Sequence, residues 1–296
     1  MKTLAGIIPI VITPFHDDGR VDYDSQRRVV GHLVESGAHG LGLFGNASEG
    51  YTLSAEERTE LMRVIVREVA GRVPLVVSSG HTGTDVAVQQ SRQAEDEGAD
   101  ALMVLPPYLL KPGPEGIFDY FQAISNAVRI PIMVQDAPLM TQVAMGASLL
   151  ARMAKEIGNV RYAKVEAPPT APKISEVKRL AGDSLTILGG LNSHFLLEEL
   201  GRGAVGTMPG SDMIPGLVRV WNLYREGRLD EARSDFNRHL PLIRYELQPG
   251  LGVSVMKHNF KAAGIIASAR VRQPTQSIDA EGVKEVETIL SDLRRE

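Results

Sequence analysis

The chain has 296 residues, 43% of them hydrophobic, and its 32 basic and 36 acidic side chains leave a net charge of -4 with no run of five like charges. That balance argues against nucleic acid or an anionic membrane surface as the partner. The absence of cysteine excludes disulfides, thiolate nucleophiles and cysteine-ligated metals, and fits a cytoplasmic location.

The first apolar run, from Leu4 to Phe15, is broken by Pro9 and Pro14 and is followed by no small-x-small cleavage site. Its β-branched Ile7, Ile8, Ile10, Val11 and Ile12 therefore predict a buried strand over Gly6 to Thr13 rather than a signal peptide. No other apolar stretch approaches the roughly 20 residues that a membrane span needs. Further strands are predicted at Gly40 to Phe44, Pro74 to Ser78, Ala101 to Leu105, Pro131 to Gln135, Arg161 to Val165, Leu185 to Leu188 and Ala204 to Met208. Helical periodicity fills the intervals at Asp24 to Ser36, Ser54 to Ala70, Thr84 to Glu97, Pro114 to Ala127, Ala147 to Ile157, Pro172 to Ala181, Ser193 to Leu200 and Pro215 to Glu226. Ser54 with Glu57 three residues on forms a capping box that fixes one helix start. Gly37 and Gly98 each stand just past a predicted helix end and before a strand.

Eight strands alternating with helices at a spacing of roughly 25 to 30 residues predict an α/β chain of the (β/α)8 barrel type, occupying residues 1–226. Three more helical segments follow without a strand between them, at Leu229 to Glu246, Val253 to Ile266 and Asp279 to Arg295. They predict a C-terminal helical extension over 227–296, packed on the barrel without a flexible linker.

Within the sixth strand Lys164 is out of keeping with its neighbours. Alternation puts Tyr162, Lys164 and Glu166 on one face and Ala163, Val165 and Ala167 on the other. In a closed barrel the polar face points into a confined interior, where lost hydration favours the neutral amine that attacks a ketone to form a Schiff base. Such barrels gather their chemistry at the strands' C-terminal ends. Asn46, Ser48, Glu49, His81, Tyr108, Gln135, Asp136, Asn192, Ser211 and Asp212 all fall at those ends, alongside Lys164 and Glu166. By the same alternation Asp136 faces away from the cavity.

Gly45-Asn46-Ala47-Ser48-Glu49-Gly50 lies between a strand and a capped helix, where backbone amides can hold a carboxylate. Together with Thr13-Pro14-Phe15, Asp18-Gly19, Pro106-Pro107-Tyr108, Pro138 and Lys164, this motif resembles the dihydrodipicolinate synthase and N-acetylneuraminate lyase superfamily along essentially the whole chain. The resemblance implies a class I lyase or aldolase in which Lys164 forms a Schiff base with a 2-keto acid, with no cofactor. It implies that Asn46, Ala47 and Ser48 hold the substrate's carboxylate, the amides of Ala47 and Ser48 included. Tyr108, Gly190, Asn192 and Met208 are its further pocket residues. It also implies a homo-oligomer, a tetramer by analogy.

Departures from the family pattern refine the expectation. Gln135 stands where the family usually has a catalytic tyrosine, and an amide cannot exchange a proton near neutral pH. Leu109 and Met140 replace a second tyrosine and an arginine usual in dihydrodipicolinate synthases. The stretch from Pro131 to Pro138, followed by Lys164-Val165-Glu166, looks more like the 2-keto-3-deoxy sugar acid dehydratases, especially the 2-keto-3-deoxyarabonate type. For such a reaction Glu166 is the first candidate acid and base, and His81 the second. Aldol cleavage to pyruvate and an aldehyde, synthesis of 4-hydroxy-tetrahydrodipicolinate, and non-catalytic binding of a keto acid are the alternatives. His16, His194, His239 and His258 show no metal-ligand spacing.

Overall fold

The computed structural model describes residues 2–294. In chain order the elements are β1 (Gly6–Ile7), α1 (Tyr23–Glu35), β2 (Leu41–Leu43), α2 (Ala55–Val69), β3 (Leu75–Ser78), α3 (Thr84–Asp96), β4 (Ala101–Val104) and α4 (Pro114–Ala127). There follow β5 (Ile132–Asp136), α5 (Pro138–Thr141), α6 (Ala147–Glu156), β6 (Val160–Val165), α7 (Thr170–Ala181), β7 (Thr186–Gly189), α8 (Leu196–Gly201) and β8 (Gly206–Thr207). The last helices are α9 (Ile214–Arg225), α10 (Leu229–Glu246), α11 (Gly252–Ala262) and α12 (Ala280–Arg294). The expected end of the last helix, Arg295, lies outside the described residues.

Most boundaries fall within two residues of expectation, and the exceptions have local causes. The first strand keeps ladder geometry only at Gly6–Ile7, because Pro9 has no N–H to donate; pairing resumes as a single bridge between Ile10 and Gly42. The helix expected from Ser193 starts at Leu196, since Leu191, Asn192 and Ser193 take φ of 44, 52 and 65°, a left-handed turn that no α-helix contains. The helix expected to reach Ile266 stops at Ala262, just before Gly264 turns the chain at φ 72°. The short α5 was not foreshadowed by periodicity, being a single turn begun by Pro138.

Packing divides the chain into two units. The first comprises the described residues up to Ala5 together with Pro74–Met208. In it β3 to β8 run parallel in chain order, each bonded to the next. Their apolar residues are fully buried, among them Val76, Leu102, Ile132, Ala163 and Leu188, as parallel strands covered on both faces require. Helix α4 adds Ile117, Phe121 and Ile124, one stripe at helical spacing, all buried. Between β5 and β6 the register slips: Ile132 pairs with Val160 but Met133 pairs with Tyr162, leaving Arg161 as an extra, exposed residue. A one-residue slip exchanges the faces of everything beyond it. This bulge therefore sets Lys164 beside Gln135 on the neighbouring strand.

The second unit comprises Gly6–Val73 and the described residues from Pro209 on. Here Val11 N–H donates to the Gly42 carbonyl at 2.9 Å and Gly42 N–H to that of Pro9 at 2.8 Å, joining the first two strand segments. The expected capping box at the start of α2 is present: Ser54 Oγ accepts from the Glu57 amide at 3.2 Å, and Glu57 Oε2 accepts from the Ser54 amide at 3.0 Å. None of the described helices is long and apolar enough to cross a membrane.

Candidate active site

Lys164 is the last residue but one of β6 in the first unit, with its side chain almost wholly withdrawn from solvent. Its Nζ lies 3.4 Å from Glu166 Oε1, with side-chain exposures of 5% and 11% for the two residues. No hydrogen bond fixes the Lys164 amine among the described residues, so one loose ion-pair contact is all that holds it. Glu166, one step past the strand, is by contrast tightly placed. Its N–H donates to the Asp136 carbonyl at 2.9 Å, its Oε2 accepts from Gln135 Nε2 at 2.8 Å, and its Oε1 accepts from the Leu191 N–H at 3.1 Å. Two donors, from the ends of β5 and β7, stabilise the carboxylate and aim it at the amine.

Gly190 makes this placement possible. A Cβ on it would lie 2.3 Å from Glu166 Cγ, so any side chain there would push the carboxylate away. The same strand end carries the left-handed turn at Leu191–Ser193, and the Leu191 amide that this turn presents is the one that Glu166 uses. Backbone strain of this kind persists only where the surroundings over-determine it.

A second layer of charge lies behind the first. Asp136 alternates away from Gln135, as expected, and pairs with Lys173 of α7 at 2.5 Å; Lys173 also donates to the Met145 carbonyl at 2.7 Å. Burial pushes the Asp136 carboxyl up from its ordinary range, and Lys173 pulls the other way. Glu199 of α8 is buried beside the end of β7, where Oε1 accepts from Thr170 Oγ at 2.6 Å and Oε2 has no hydrogen-bond donor. Burial raises this carboxyl to about 7. Sequence reading overlooked Lys173, Thr170, Glu199 and the Leu191 amide. Only Glu199 left a trace, as an acidic residue on the stripe of Leu196 and Leu200.

The other expected residues are placed as follows. His81 is exposed; its Nδ1 accepts from the Gly83 amide at 3.0 Å, and its backbone exchanges hydrogen bonds with the Tyr120 hydroxyl at 3.1 and 3.0 Å. The bonds described tie His81 to its own loop and to Tyr120, not to the lysine cluster. Burial raises the Tyr120 phenol to about 12, which leaves it a loop anchor rather than a proton carrier. Tyr108 is about half exposed. Met208 is buried, with its N–H on the Gly189 carbonyl at 3.1 Å, and Asn192 is the middle residue of the left-handed turn.

Asn46, Ala47 and Ser48 belong to the second unit, where they form one turn of 3₁₀-helix. Ser48 donates its N–H to the Gly45 carbonyl at 3.1 Å and its hydroxyl to that of Val11 at 2.5 Å. Both of its donors are thus committed within the unit, which corrects the expectation that its amide is available to a carboxylate. Glu49, also expected at a strand end with the site residues, is fully buried in an ion pair with Lys257 of α11. Its other oxygen accepts from the Arg272 amide at 2.7 Å.

The dihydrodipicolinate synthetase family matches residues 3–293 of the chain. An L-2-keto-3-deoxyarabonate dehydratase of Azospirillum brasilense is 39% identical over 91% of this chain and 88% of its own length. A 4-hydroxy-tetrahydrodipicolinate synthase of Corynebacterium aurimucosum is 31% identical over 96% of this chain and 92% of its own. Among solved structures, the dihydrodipicolinate synthase of Rhodopseudomonas palustris is 32% identical and superposes with a TM-score of 0.91, covering 98% of this chain and 97% of that one. The fold is the (β/α)8 barrel expected from the sequence.

Proposed function

Because the chain belongs to the dihydrodipicolinate synthetase family, a family of lyases, we propose that it is a lysine Schiff-base hydro-lyase that removes water from a 2-keto-3-deoxy sugar acid of the arabonate type. One observation carries the reading: the Glu166 carboxylate stands 3.4 Å from the Lys164 amine, and the group that steadies it is an amide, Gln135, that cannot move a proton. Glu166 is then the group beside the amine that exchanges one. The name and the 39% identity of the Azospirillum dehydratase support the same substrate class.

In this reaction Lys164 Nζ adds to C2 of the keto acid, and the carbinolamine loses water to give an iminium. Glu166 removes a proton from C3, and the released electron pair forms an enamine. The enamine expels the C4 hydroxyl, which leaves as water with a proton returned by Glu166. In a five-carbon substrate, loss of protons from C5 and its hydroxyl, with protonation at C3 and C4, turns C5 into an aldehyde. Hydrolysis of the iminium frees Lys164, and the net change is the loss of one water. The helices beyond Arg225 are read as structural support, since Lys257 is committed to Glu49.

The test is incubation with a 2-keto-3-deoxypentonate and identification of the product by mass spectrometry. A semialdehyde lighter than the substrate by one water is expected. Free pyruvate with a two-carbon aldehyde would replace dehydration by aldol cleavage, and borohydride that leaves Lys164 unmodified with every keto acid tried would remove the Schiff base itself.

A further inference from the structure

Glu199 is a buried titratable group in the first unit that the proposed chemistry leaves unused. It is 1% exposed. Its Oε2 fits against the backbone of Gly189 so closely that a Cβ on that glycine would lie 1.7 Å from it. Gly189 and Gly190 lead directly into Leu191, whose amide grips Glu166 at 3.1 Å. The carboxyl of Glu199 thus wedges the strand end that sets the position of the proposed base. The other side of this segment is held by the Met208 amide on the Gly189 carbonyl at 3.1 Å and by Ser193 Oγ on Thr207 Oγ at 3.3 Å. Besides the bond to the Glu166 carboxylate itself, the Glu199 contact is the one here that can change with pH.

We infer that Glu199 is a positioning residue, holding the Gly189–Leu191 segment against Glu166 while it is a neutral acid and releasing it when ionised. The inference rests on the Schiff-base reading above. A neutral carboxyl tolerates the dry slot with one donor, Thr170; a carboxylate there has an oxygen with no donor and faces the charges of Glu166, at the end of β6, and of its neighbour Glu198. An ion so placed draws in water, and the glycines it leans on are the part free to move. The resulting shift carries the Leu191 amide away from Glu166 and relaxes the aim at Lys164.

The experiment is reductive trapping of Lys164 with pyruvate and cyanoborohydride, together with exchange of the pyruvate methyl protons for deuterium, from about pH 5.5 to about pH 9. Wild type and Glu199→Gln are expected to exchange at the same rate at the acid end. Above about pH 7 the wild-type rate should fall behind the variant's, by roughly tenfold per pH unit at most for a single ionisation. Gln keeps the shape of the neutral acid, so the variant's profile loses that limb. Thr170→Val provides a second reading: removing the one donor that favours the ionised acid should move the limb to higher pH. An adduct with superimposable wild-type and Glu199→Gln profiles overturns this inference alone. No adduct in the wild type at any pH overturns the reading beneath it.

Discussion

Among the described residues the protein holds two buried lysine–glutamate pairs, one in each unit, and they are built to opposite ends. Lys257 and Glu49, in the second unit, are both fully buried. The Lys257 amine donates to Glu49 and to the Arg270 carbonyl at 2.9 Å and sits 4.1 Å from the Phe15 ring centroid, while Arg272 lies 4.3 Å from the same ring. Lys164 and Glu166, in the first unit, retain slight exposure, and there the donors converge on the carboxylate while the amine has a single contact at 3.4 Å. A saturated ammonium is structural. An amine left with one loose partner can surrender a proton and form a new bond. Burial draws the Lys257 amine down to about 8 in spite of Glu49, so it is its surroundings, rather than its protonation, that deny it chemistry.

Substitution of each lysine should break the comparison cleanly. Lys164→Met is expected to abolish the reduced adduct with pyruvate altogether while leaving the denaturation midpoint close to wild type; an adduct that persists would place the nucleophile elsewhere. Glu166→Gln should come next, forming the adduct but lowering C3 proton exchange by about 10²- to 10⁴-fold, the usual worth of a positioned general base. Exchange within a factor of two of wild type would show that Glu166 only orients its neighbours. Lys257→Met should do the reverse of Lys164→Met. It strands the Glu49 carboxylate in a site with no exposure, a change that costs about 3 to 5 kcal/mol of stability, while the protein that remains folded still traps pyruvate at Lys164. Urea unfolding together with adduct mass distinguishes the two lysines in one pair of measurements.

The contrast also marks how far the sequence could be read. Period-two alternation around Lys164 identified its face and its partner Glu166, and the residues of each strand core followed from apolar runs, because those signals are local. The slip at Arg161 that aligns Lys164 with Gln135 is a property of two strands together, and neither strand's pattern contains it. Sequence alone ranks Glu166 before His81, both as polar residues at strand ends. The structure ties His81 to the Tyr120 hydroxyl and its own loop and brings Glu166 to the amine. Glu49 resembled a site residue because its partner, Lys257, lies 208 positions away and no spacing connects them. Backbone donors such as the Leu191 amide carry no sequence signature; only the glycines beside them hint that something comes close.

Glu199 sharpens the comparison as a buried carboxyl with no lysine at all. Burial lifts it from 4.5 to about 7, whereas an unfolded chain exposes it at its ordinary value. Between these two values the unfolded state has released the proton and the folded state still holds it. Folding stability therefore falls as pH rises from about 4.5 to about 7 and is flat on either side. The size follows from the distance between the two values and is about 3 kcal/mol. Glu199→Gln, with no proton to lose, should match the wild type near pH 4.5 and exceed it above pH 7, by up to that amount. Urea midpoints of the two proteins at a series of pH values test this directly. A difference that stays constant across the range would mean that the Glu199 carboxyl is not held neutral in its slot, and the two lysine pairs would then differ only in how their amines are held.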